Sequence, residues 1–373
     1  MERSEVISKA KNLVIKIGGS LLLKKDTPDI SFLKSLVDSV AQLIKDGRKV
    51  TLVSSGAIAL GKASIGGKIA FGKGIPSRQA LASVGQIKLM NLYCEFFKDY
   101  SLQVGQILLS ASDFSHHSTY INARNTILAL LKAGAVPIVN ENDTVAVEEI
   151  KFGDNDTLSA LVAALVDADL LVILSDIKGL YTSDPKKDPQ ARFLSLVERI
   201  DRRVEEMAEG TCVEGRVGGM RTKIEAAKIA TRSGIPVVIG GGNNFLKALF
   251  FEFKQEGTLF LPTQTKLQAR KRWIAYGRKP KGSIVVDEGA KRALLEKGGS
   301  LLPVGIKEIK GKFQSGDSVS ILDSEGKEFA RGIVYYSSEE LKRIKGLHTN
   351  QIEEKLGYCY YEEAIHRDNL VIL

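Results

Sequence analysis

The sequence predicts an α/β protein in which an open, mostly parallel β-sheet has helices on both faces and a small β-rich domain follows. Three observations lead to this fold class. From the N-terminus to about residue 260, short β-branched apolar runs alternate with longer amphipathic stretches. The runs are apolar at consecutive positions, as in strands buried on both faces of a parallel sheet. After residue 262, short strands and glycine turns predominate.

The elements of the first domain follow in order from this alternation. The predicted strands are 12–17, 49–54, 104–109, 136–140, 170–175 and 236–240, and the predicted helices lie near 29–46, 77–98, 120–133, 156–167 and 219–233. Open α/β sheets bind ligands at the carboxyl ends of their parallel strands. We therefore expect the functional residues in the loops that follow the strands.

Composition changes mark the predicted domain limits. Residues 1–262 form the α/β domain, 263–280 a basic linker, 281–358 the β-rich domain and 359–373 a C-terminal tail. Residues 263–312 hold 13 Lys and Arg against 4 Asp and Glu, which accounts for the net charge of +9. Such a stretch can serve nucleic acid or another anionic partner, and a solvated linker and surface helix is the alternative.

Several classes of protein are disfavoured. No apolar run reaches the roughly 18–20 residues of a membrane span, so we expect no membrane partner. The first residues have no apolar core of a secretory signal, which predicts a cytoplasmic protein. The three cysteines, Cys94, Cys212 and Cys359, are far apart in sequence and indicate neither a disulfide framework nor a metal site.

The strand-end loops are rich in Gly, Ser, Asn, Asp and Lys and poor in His and Cys. They read "KIGGS" (16–20), "SSGAIALG" (54–61), "NENDTVAVEEIKFGDNDT" (140–157), "SDIKGLYTSDP" (175–185) and "GRVGGMRTK" (215–223). This composition argues against a zinc site, a thiol nucleophile or a Ser-His-Asp triad. It suits a phosphorylated ligand, since glycines let backbone N–H groups approach oxygen atoms. The string "GKIAFGKG" (67–74) comes within one residue of a P-loop, but Gly74 replaces the Mg-binding hydroxyl residue and no strand precedes it. The string "VVIGGGNN" (237–244) lacks the spacing of a dinucleotide fingerprint.

Two lysines of these loops, Lys16 and Lys223, each lie beside a glycine pair. If both face one site, their charges would stabilise a transferred phosphoryl group. Asp156 precedes an apolar helix, where it either caps that helix or holds the lysines. Each residue taken alone is more often a surface lysine or a helix cap, so the hypothesis depends on their combination.

In their order along the chain, these loops resemble the glutamate-phosphorylating members of the amino-acid kinase family, which carry a C-terminal PUA domain. The matching strings include "KIGGS", "SSGAIALG", "INARNT" (121–126), "VNENDTVAVEEIKFGDND" (139–156), "SDIKGLYTSDP" and "GGMRTK" (218–223). In the second domain "RKRWI" (270–274), "VDEGAKRALLEKGGSLLPVGI" (286–306) and "LGYCY" (356–360) match as well. The resemblance covers nearly the whole chain.

The resemblance implies an amino-acid kinase fold and ATP-dependent phosphorylation of the γ-carboxylate of L-glutamate, the first step of proline biosynthesis. It implies that Lys16 and Lys223 hold the phosphoryl group, that Asp156 orients both lysines, and that glutamate is bound by Ser55, Asp143, Asn155 and, as a second-tier candidate, Asp154. The implied ATP pocket comprises Lys16, Gly18, Gly19, Ser175, Asp176, Val217, Gly218, Gly219, Met220, Arg221, Thr222 and Lys223. The family often has threonine at positions 19 and 217, which leaves individual hydrogen bonds to phosphate open.

The resemblance further implies Mg²⁺ held mainly by the ATP phosphates, feedback inhibition by proline, and a homo-oligomer, either a tetramer or a dimer. Two alternatives stay open at this stage. One is a related kinase with a different acceptor, and the other is a protein that binds RNA through its PUA-type domain. The adjacent His116 and His117 could suggest a metal, although a solvated loop is the more common explanation.

Overall fold

The computed structural model describes residues 2–24, 27–65, 74–115, 117–145, 155–185, 187–209, 219–242, 244–265, 280–359 and 361–373. Asp154, Val217, Gly218, His116 and most of the predicted linker lie outside the described residues, as does the side chain of His117. The chain divides into two compact units, the first of residues 1–116 and 122–265 and the second of residues 117–121 and 266–373.

Helices and strands alternate up to residue 265. The helices are α1 Arg3–Lys9, α2 Gly19–Leu22, α3 Ile30–Lys45, α4 Ala57–Ile65, α5 Ile75–Lys98, α6 Ala111–Ser115, α7 His117–Lys132, α8 Asn155–Leu165, α9 Arg202–Glu209, α10 Met220–Arg232 and α11 Phe245–Phe250. The strands are β1 Asn12–Ile17, β2 Leu23–Lys24, β3 Thr27–Pro28, β4 Lys49–Ser54, β5 Val104–Leu109, β6 Val136–Glu141, β7 Leu170–Leu174, β8 Leu180–Tyr181, β9 Phe193–Leu194, β10 Leu196–Val197, β11 Val237–Gly240 and β12 Thr258–Phe260.

Eight of these strands form one sheet within the described residues, in the order β10-β12-β11-β7-β1-β4-β6-β5. All neighbours pair in parallel except β11 and β12, which are antiparallel. The central strands are buried along nearly their whole length, and helices such as α3 and α5 pack their apolar side chains against them. The predicted fold class is therefore confirmed.

Two features of this unit differ from the sequence analysis. The segment "SSGAIALG" is not a loop throughout, because α4 begins at Ala57. Helix α4 packs closely on α5, where a Cβ atom on Gly61 would lie 1.9 Å from the carbonyl oxygen of Leu81. The sheet also includes the short strands β10 and β12, which the sequence analysis did not predict. They have two and three residues, too few for a recognisable hydrophobic pattern in the sequence.

The second unit contains a five-stranded sheet in the order β14-β13-β15-β16-β17. Its strands are β13 Gly282–Val286, β14 Ile306–Gly311, β15 Ser318–Leu322, β16 Glu328–Ile333 and β17 Leu370–Ile372, and its helices are α12 Glu288–Lys297, α13 Ser338–Ile344 and α14 Ile352–Leu356. Short 3₁₀ helices lie at Pro303–Gly305, Thr349–Gln351 and Arg367–Asn369. The segment 359–373, which the sequence analysis set apart as a tail, thus contributes β17, since Leu370 and Val371 are buried against this sheet.

Among the described residues no helix combines the length and apolarity needed to span a bilayer.

Candidate functional site

The carboxyl ends of the central strands are level with one another. Ile17 of β1 lies opposite Ser54 of β4 on one side and Leu174 of β7 on the other. The backbone N–H of Gly18 donates to the carbonyl oxygen of Leu174 at 3.1 Å, and a Cβ atom on Gly18 would lie 3.2 Å from the same oxygen. The loops after β1, β4 and β7 therefore start at one edge of the sheet.

At this edge Lys16, Asp156 and Lys223 form one buried ionic cluster. The Nζ atom of Lys16 lies 2.5 Å from Oδ1 of Asp156, and the Nζ atom of Lys223 lies 3.0 Å from Oδ2. Their exposed fractions are 3 %, 0 % and 6 % in sequence order. The hydroxyl of Thr222 also donates to Oδ2 of Asp156, at 2.9 Å. One carboxylate thus holds two ammonium groups that are separated by some two hundred residues of sequence.

Local structure explains how each member of this cluster is placed. Lys16 lies in the middle of the sheet, in register with Val53 of β4 and Ile173 of β7. Asp156 is the second residue of α8 rather than its N-cap, so its side chain reaches the lysines. Lys223 lies in the first turn of α10, which begins after Gly219.

The cluster carries a formal charge of +1, from two ammonium groups and one carboxylate. Buried positive charge is costly unless an anion accompanies it, so the cluster suits an anionic ligand. Gly219 precedes the 13-residue helix α10 without a side-chain cap, and a Cβ atom built on it meets no atom within 4 Å. A helix N-terminus of this kind adds N–H donors and a favourable dipole for phosphate oxygens. The residues present therefore fit the phosphates of a nucleotide.

A second polar cluster lies beside the first, around the amide of Asn155. Its Nδ2 atom donates to the carbonyl oxygen of Ser54 at 2.9 Å, to Oγ of Ser55 at 3.0 Å and to Oδ1 of Asn140 at 2.8 Å. Asn155 and Asn140 are both buried. Asn155 directly precedes Asp156 on α8. These hydrogen bonds therefore connect the ends of β4 and β6 to the helix whose Asp156 binds the two lysines.

The turn after β4 is fixed from α5 as well. The hydroxyl of Tyr93, a fully buried residue, forms a 2.8 Å hydrogen bond with Oγ of Ser54. Burial raises the pKa of Tyr93 far above its ordinary value, so the phenol stays neutral. This hydrogen bond fixes the position of Ser54, and thereby the start of the turn that contains the predicted substrate-binding residue Ser55.

Asp143 borders a cavity of about 250 Å³ at the end of β6. Its lining comes from α5, from β5 and from the end of β6 with the residues after it, namely Ala82, Ser83, Gln86, Ile87, Gln106, Leu108, Glu141, Asn142, Asp143 and Thr144. The Asn140 side chain connects this cavity with the Asn155 cluster, because its Nδ2 atom donates to Oε1 of Gln86 at 2.8 Å.

The remaining predicted ATP residues that the structure describes lie at the same sheet edge or at the start of α10. Ser175 follows β7 directly, its backbone N–H donates to the carbonyl oxygen of Gly240, and its hydroxyl donates to Oδ1 of the exposed Asp176 at 3.1 Å. Gly19 opens α2, and a Cβ atom on it would lie 3.5 Å from its nearest neighbours, which is ordinary contact. Met220, Arg221 and Thr222 form the first turn of α10.

Sequence reasoning missed three residues that organise the site, namely Asn140, Gln86 and Tyr93. Asn140 lies within one of the strings that carry the family resemblance, but an asparagine at this position does not by itself indicate a function. Gln86 and Tyr93 lie mid-helix on α5, in the buried stripe that includes Ala82, Gly85 and Leu89. A glutamine within an apolar stripe of helical period was the available signal for Gln86.

A parallel α/β sheet with two lysines on one buried carboxylate beside its strand ends suits the class of proteins that bind and transfer phosphoryl groups. The amino acid kinase family model matches residues 11–241, and the PUA domain model matches residues 282–356. The chain is 46 % identical to a glutamate 5-kinase of Syntrophotalea carbinolica, over 99 % of this chain and 99 % of that protein. It is also 46 % identical to a glutamate 5-kinase of Dictyoglomus thermophilum, over 97 % and 98 % of the two chains. The chain belongs to the amino acid kinase family, and to the glutamate 5-kinases within it.

Among solved structures, the chain is similar to the carbamate kinase from Giardia lamblia bound to AMP-PNP. The TM-score is 0.51 and the sequence identity 14 %, over 68 % of this chain and 99 % of that one. At this identity the likeness concerns the fold alone, and it is consistent with the sheet described above.

Proposed function

We propose that this kinase transfers the γ-phosphoryl group of ATP to the γ-carboxylate of L-glutamate and so supplies proline biosynthesis. The observation that carries the proposal is the Lys16–Asp156–Lys223 cluster, beside the polar ends of β4 and β6. The similarity to glutamate 5-kinases over the whole chain supports glutamate as the acceptor.

The residues present are sufficient for this reaction without a general base. The acceptor carboxylate is already ionised at neutral pH, since the ordinary pKa of a glutamate side chain in water is about 4.3. It attacks the γ-phosphorus, a new P–O bond forms, and the bond to the leaving β-phosphate oxygen breaks, which yields γ-glutamyl 5-phosphate and ADP. Lys16 and Lys223 stabilise the charge of the transferred group, and Asp156 keeps both ammonium groups in position.

The two substrates occupy opposite sides of this cluster in the proposal. Glutamate is bound by Ser55, Asp143 and Asn155, with Asp143 facing the α-ammonium group and Asp154 a further candidate. ATP is bound by the loop after β1, by Ser175 and Asp176, and by residues 217–223. Mg²⁺ would be held mainly by the ATP phosphates and would neutralise part of their charge, because Asp156 already has a lysine at each carboxylate oxygen.

Further predictions from the resemblance accompany this proposal. We propose a cytoplasmic homo-oligomer, dimer or tetramer, that proline inhibits by competing with glutamate. The domain limits are a kinase domain of residues 1–262, a linker of residues 263–280 and a PUA-containing domain from residue 281. RNA binding by that domain stays a separate prediction, and a filter-binding assay at low salt that shows only nonspecific affinity would remove it.

A panel of acceptors tests the proposed reaction. ADP release is measured by a coupled assay with L-glutamate, L-aspartate, N-acetylglutamate, carbamate and UMP at equal concentrations, with and without proline. We expect turnover with L-glutamate and none above background with the others. Absence of turnover with L-glutamate, or faster turnover with another acceptor, would refute the assignment.

A further inference from the structure

The turn that carries Ser55 is held by hydrogen bonds from two neighbouring elements. The backbone N–H of Ser55 donates to the carbonyl oxygen of Ile17 on β1 at 3.3 Å. The amide of Asn155 on α8 donates both to the carbonyl oxygen of Ser54 and to Oγ of Ser55. Because that Oγ atom accepts a hydrogen bond from Asn155, the Ser55 hydroxyl keeps its own hydrogen for another acceptor. The direction in which Ser55 donates therefore depends on the backbone of this turn.

A third contact reaches the turn from α5, through two hydroxyl groups in series. The Ser54 hydroxyl donates to the carbonyl oxygen of Ser55 at 3.2 Å, which uses its single hydrogen. The hydrogen bond of 2.8 Å between Tyr93 and Ser54 is then donated by the phenol. The Tyr93 phenol thus holds the Ser54 hydroxyl, and the Ser54 hydroxyl holds the backbone carbonyl of Ser55.

Helix α5 contacts the chain on both sides of Ser55. Tyr93 is fully buried, and its ring lies against that of Phe97, with 6.4 Å between the ring centroids. Helix α4 begins at Ala57, two residues after Ser55, and a Cβ atom on Gly85 of α5 would lie 1.7 Å from the Ala57 carbonyl oxygen. The phenol of Tyr93 therefore projects from a helix that is closely packed against the segment it supports.

The turn lies on the side of β1 that is proposed for the acceptor. In the order of the sheet β4 stands between β1 and β6, whereas β7, which leads to the proposed ATP residue Ser175, stands on the other side of β1. Asn155 also connects the turn to Asn140 at the end of β6. A change in the turn should therefore affect the acceptor more than ATP.

We propose that Tyr93 is a positioning residue for acceptor binding, which fixes the Ser54–Ser55 turn so that the Ser55 hydroxyl donates to a carboxylate oxygen of the acceptor amino acid. Tyr93 acts through Ser54 and does not touch the substrate. The proposal rests on the function proposed above and adds α5 to the elements that form the acceptor site. Loss of the phenol oxygen alone should weaken acceptor binding while the lysine cluster keeps its contacts.

The Tyr93→Phe substitution removes only this oxygen. We expect KM for L-glutamate to rise about three- to tenfold, the factor that one buried hydrogen bond contributes, and KM for ATP to stay within about twofold of the wild-type value. Tyr336→Phe is the matched control, since Tyr336 is also buried and its hydroxyl donates to the carbonyl oxygen of Tyr361 in the second unit. It should change neither constant, and an equal rise in KM for L-glutamate in both variants would overturn the proposal.

A double-mutant cycle tests whether Tyr93 acts through Ser54. Ser54→Ala removes the group that the phenol holds, so we expect it to raise KM for L-glutamate as well. Adding Tyr93→Phe to Ser54→Ala should raise KM by less than about twofold more, because the phenol then has no hydroxyl to hold. Single effects that simply multiply in the double variant would show independent action and overturn the proposal. If Tyr93→Phe failed to fold, an unchanged KM in Ser54→Ala would overturn it.

The same measurements distinguish this proposal from the proposed function. A merely structural role would lower the thermal midpoint of Tyr93→Phe and leave its KM for L-glutamate at the wild-type value. Wild-type turnover of L-glutamate together with that result would overturn the role of Tyr93 alone. Wild-type enzyme that turned over no L-glutamate would refute the proposed function instead.

Discussion

The Asp156→Asn substitution tests whether one carboxylate holds the two lysines together. Asparagine preserves the shape of the side chain and removes its charge. The lysine Nζ atoms lie 2.5 and 3.0 Å from the carboxylate oxygens, and at an effective dielectric constant of about 20 each attraction amounts to roughly 6 kcal/mol before desolvation is counted. Measured losses when one partner of a buried pair is removed are about 3–5 kcal/mol, and we expect a loss of that size here.

The assay is chemical unfolding in urea, with the free energy of unfolding extrapolated to water. Asp167→Asn provides a matched control, since Asp167 pairs with Arg124 at 2.8 Å while their side chains are 43 % and 29 % exposed. Its φ of 52° lies in the left-handed region, which asparagine tolerates. A partly exposed pair of this kind contributes much less than a buried one, on the order of 1 kcal/mol, so this change should cost little.

Catalysis gives a second measurement on the same pair of variants. Asp156→Asn leaves two neighbouring ammonium groups without their shared carboxylate, and we expect kcat to fall by about 10²-fold or more. Asp167→Asn should keep kcat within about twofold. If Asp156→Asn cost no more unfolding free energy than Asp167→Asn, the argument that this carboxylate stabilises the lysine pair would be refuted.

Three further predictions concern the site and its support. Lys16→Ala or Lys223→Ala should lower kcat by about 10²-fold or more, whereas Lys62→Ala, at an exposed lysine, should leave kcat unchanged. Steady-state kinetics measure this difference, and a change confined to KM for ATP would contradict the proposed role of the two lysines. Asp143→Ala should chiefly raise KM for glutamate, by about tenfold, because it removes the proposed partner of the α-ammonium group, and an unchanged KM would contradict that proposal. Gly85→Ala should destabilise the protein by about 1–3 kcal/mol or more, because its Cβ atom would lie 1.7 Å from a carbonyl oxygen of α4; a thermal midpoint equal to that of the wild type would refute this packing argument.

The strands and their ends could be predicted because their signals are local. Residues 12–17, 49–54 and 104–109 are strands with the predicted limits. The first two are mostly apolar and buried, as expected for strands inside a parallel sheet, whereas 104–109 is a partly buried strand at the edge of the sheet. The loops at their carboxyl ends then followed from the rule that parallel strands present ligands at one edge.

The rest of the site depends on contacts between distant segments, which no local pattern reports. From the sequence, Asp156 could be either a helix cap or the partner of the lysines. In the structure it is the second residue of α8 and its carboxylate contacts Lys16, so it is the partner of the lysines. The orientation of Asn140 and Gln86 also depends on a distant contact. The backbone N–H of Glu141 donates to Oδ1 of Asn140, which leaves the Asn140 NH₂ group to donate to Oε1 of Gln86. Strand β17 was missed because three residues carry too little periodicity.

The position of Lys16 before its glycines follows from how the proposed phosphate site is divided among three elements. In a P-loop one continuous segment surrounds the phosphates and its lysine follows on the helix. Here Lys16 lies on a central strand, Asp156 on α8 and Lys223 on α10, and only the complete sheet brings the three together. The site therefore forms with the tertiary structure and not before it. A ligand that binds the two lysines also bridges the two ends of the domain's sequence, so its binding energy adds to the stability of the whole domain.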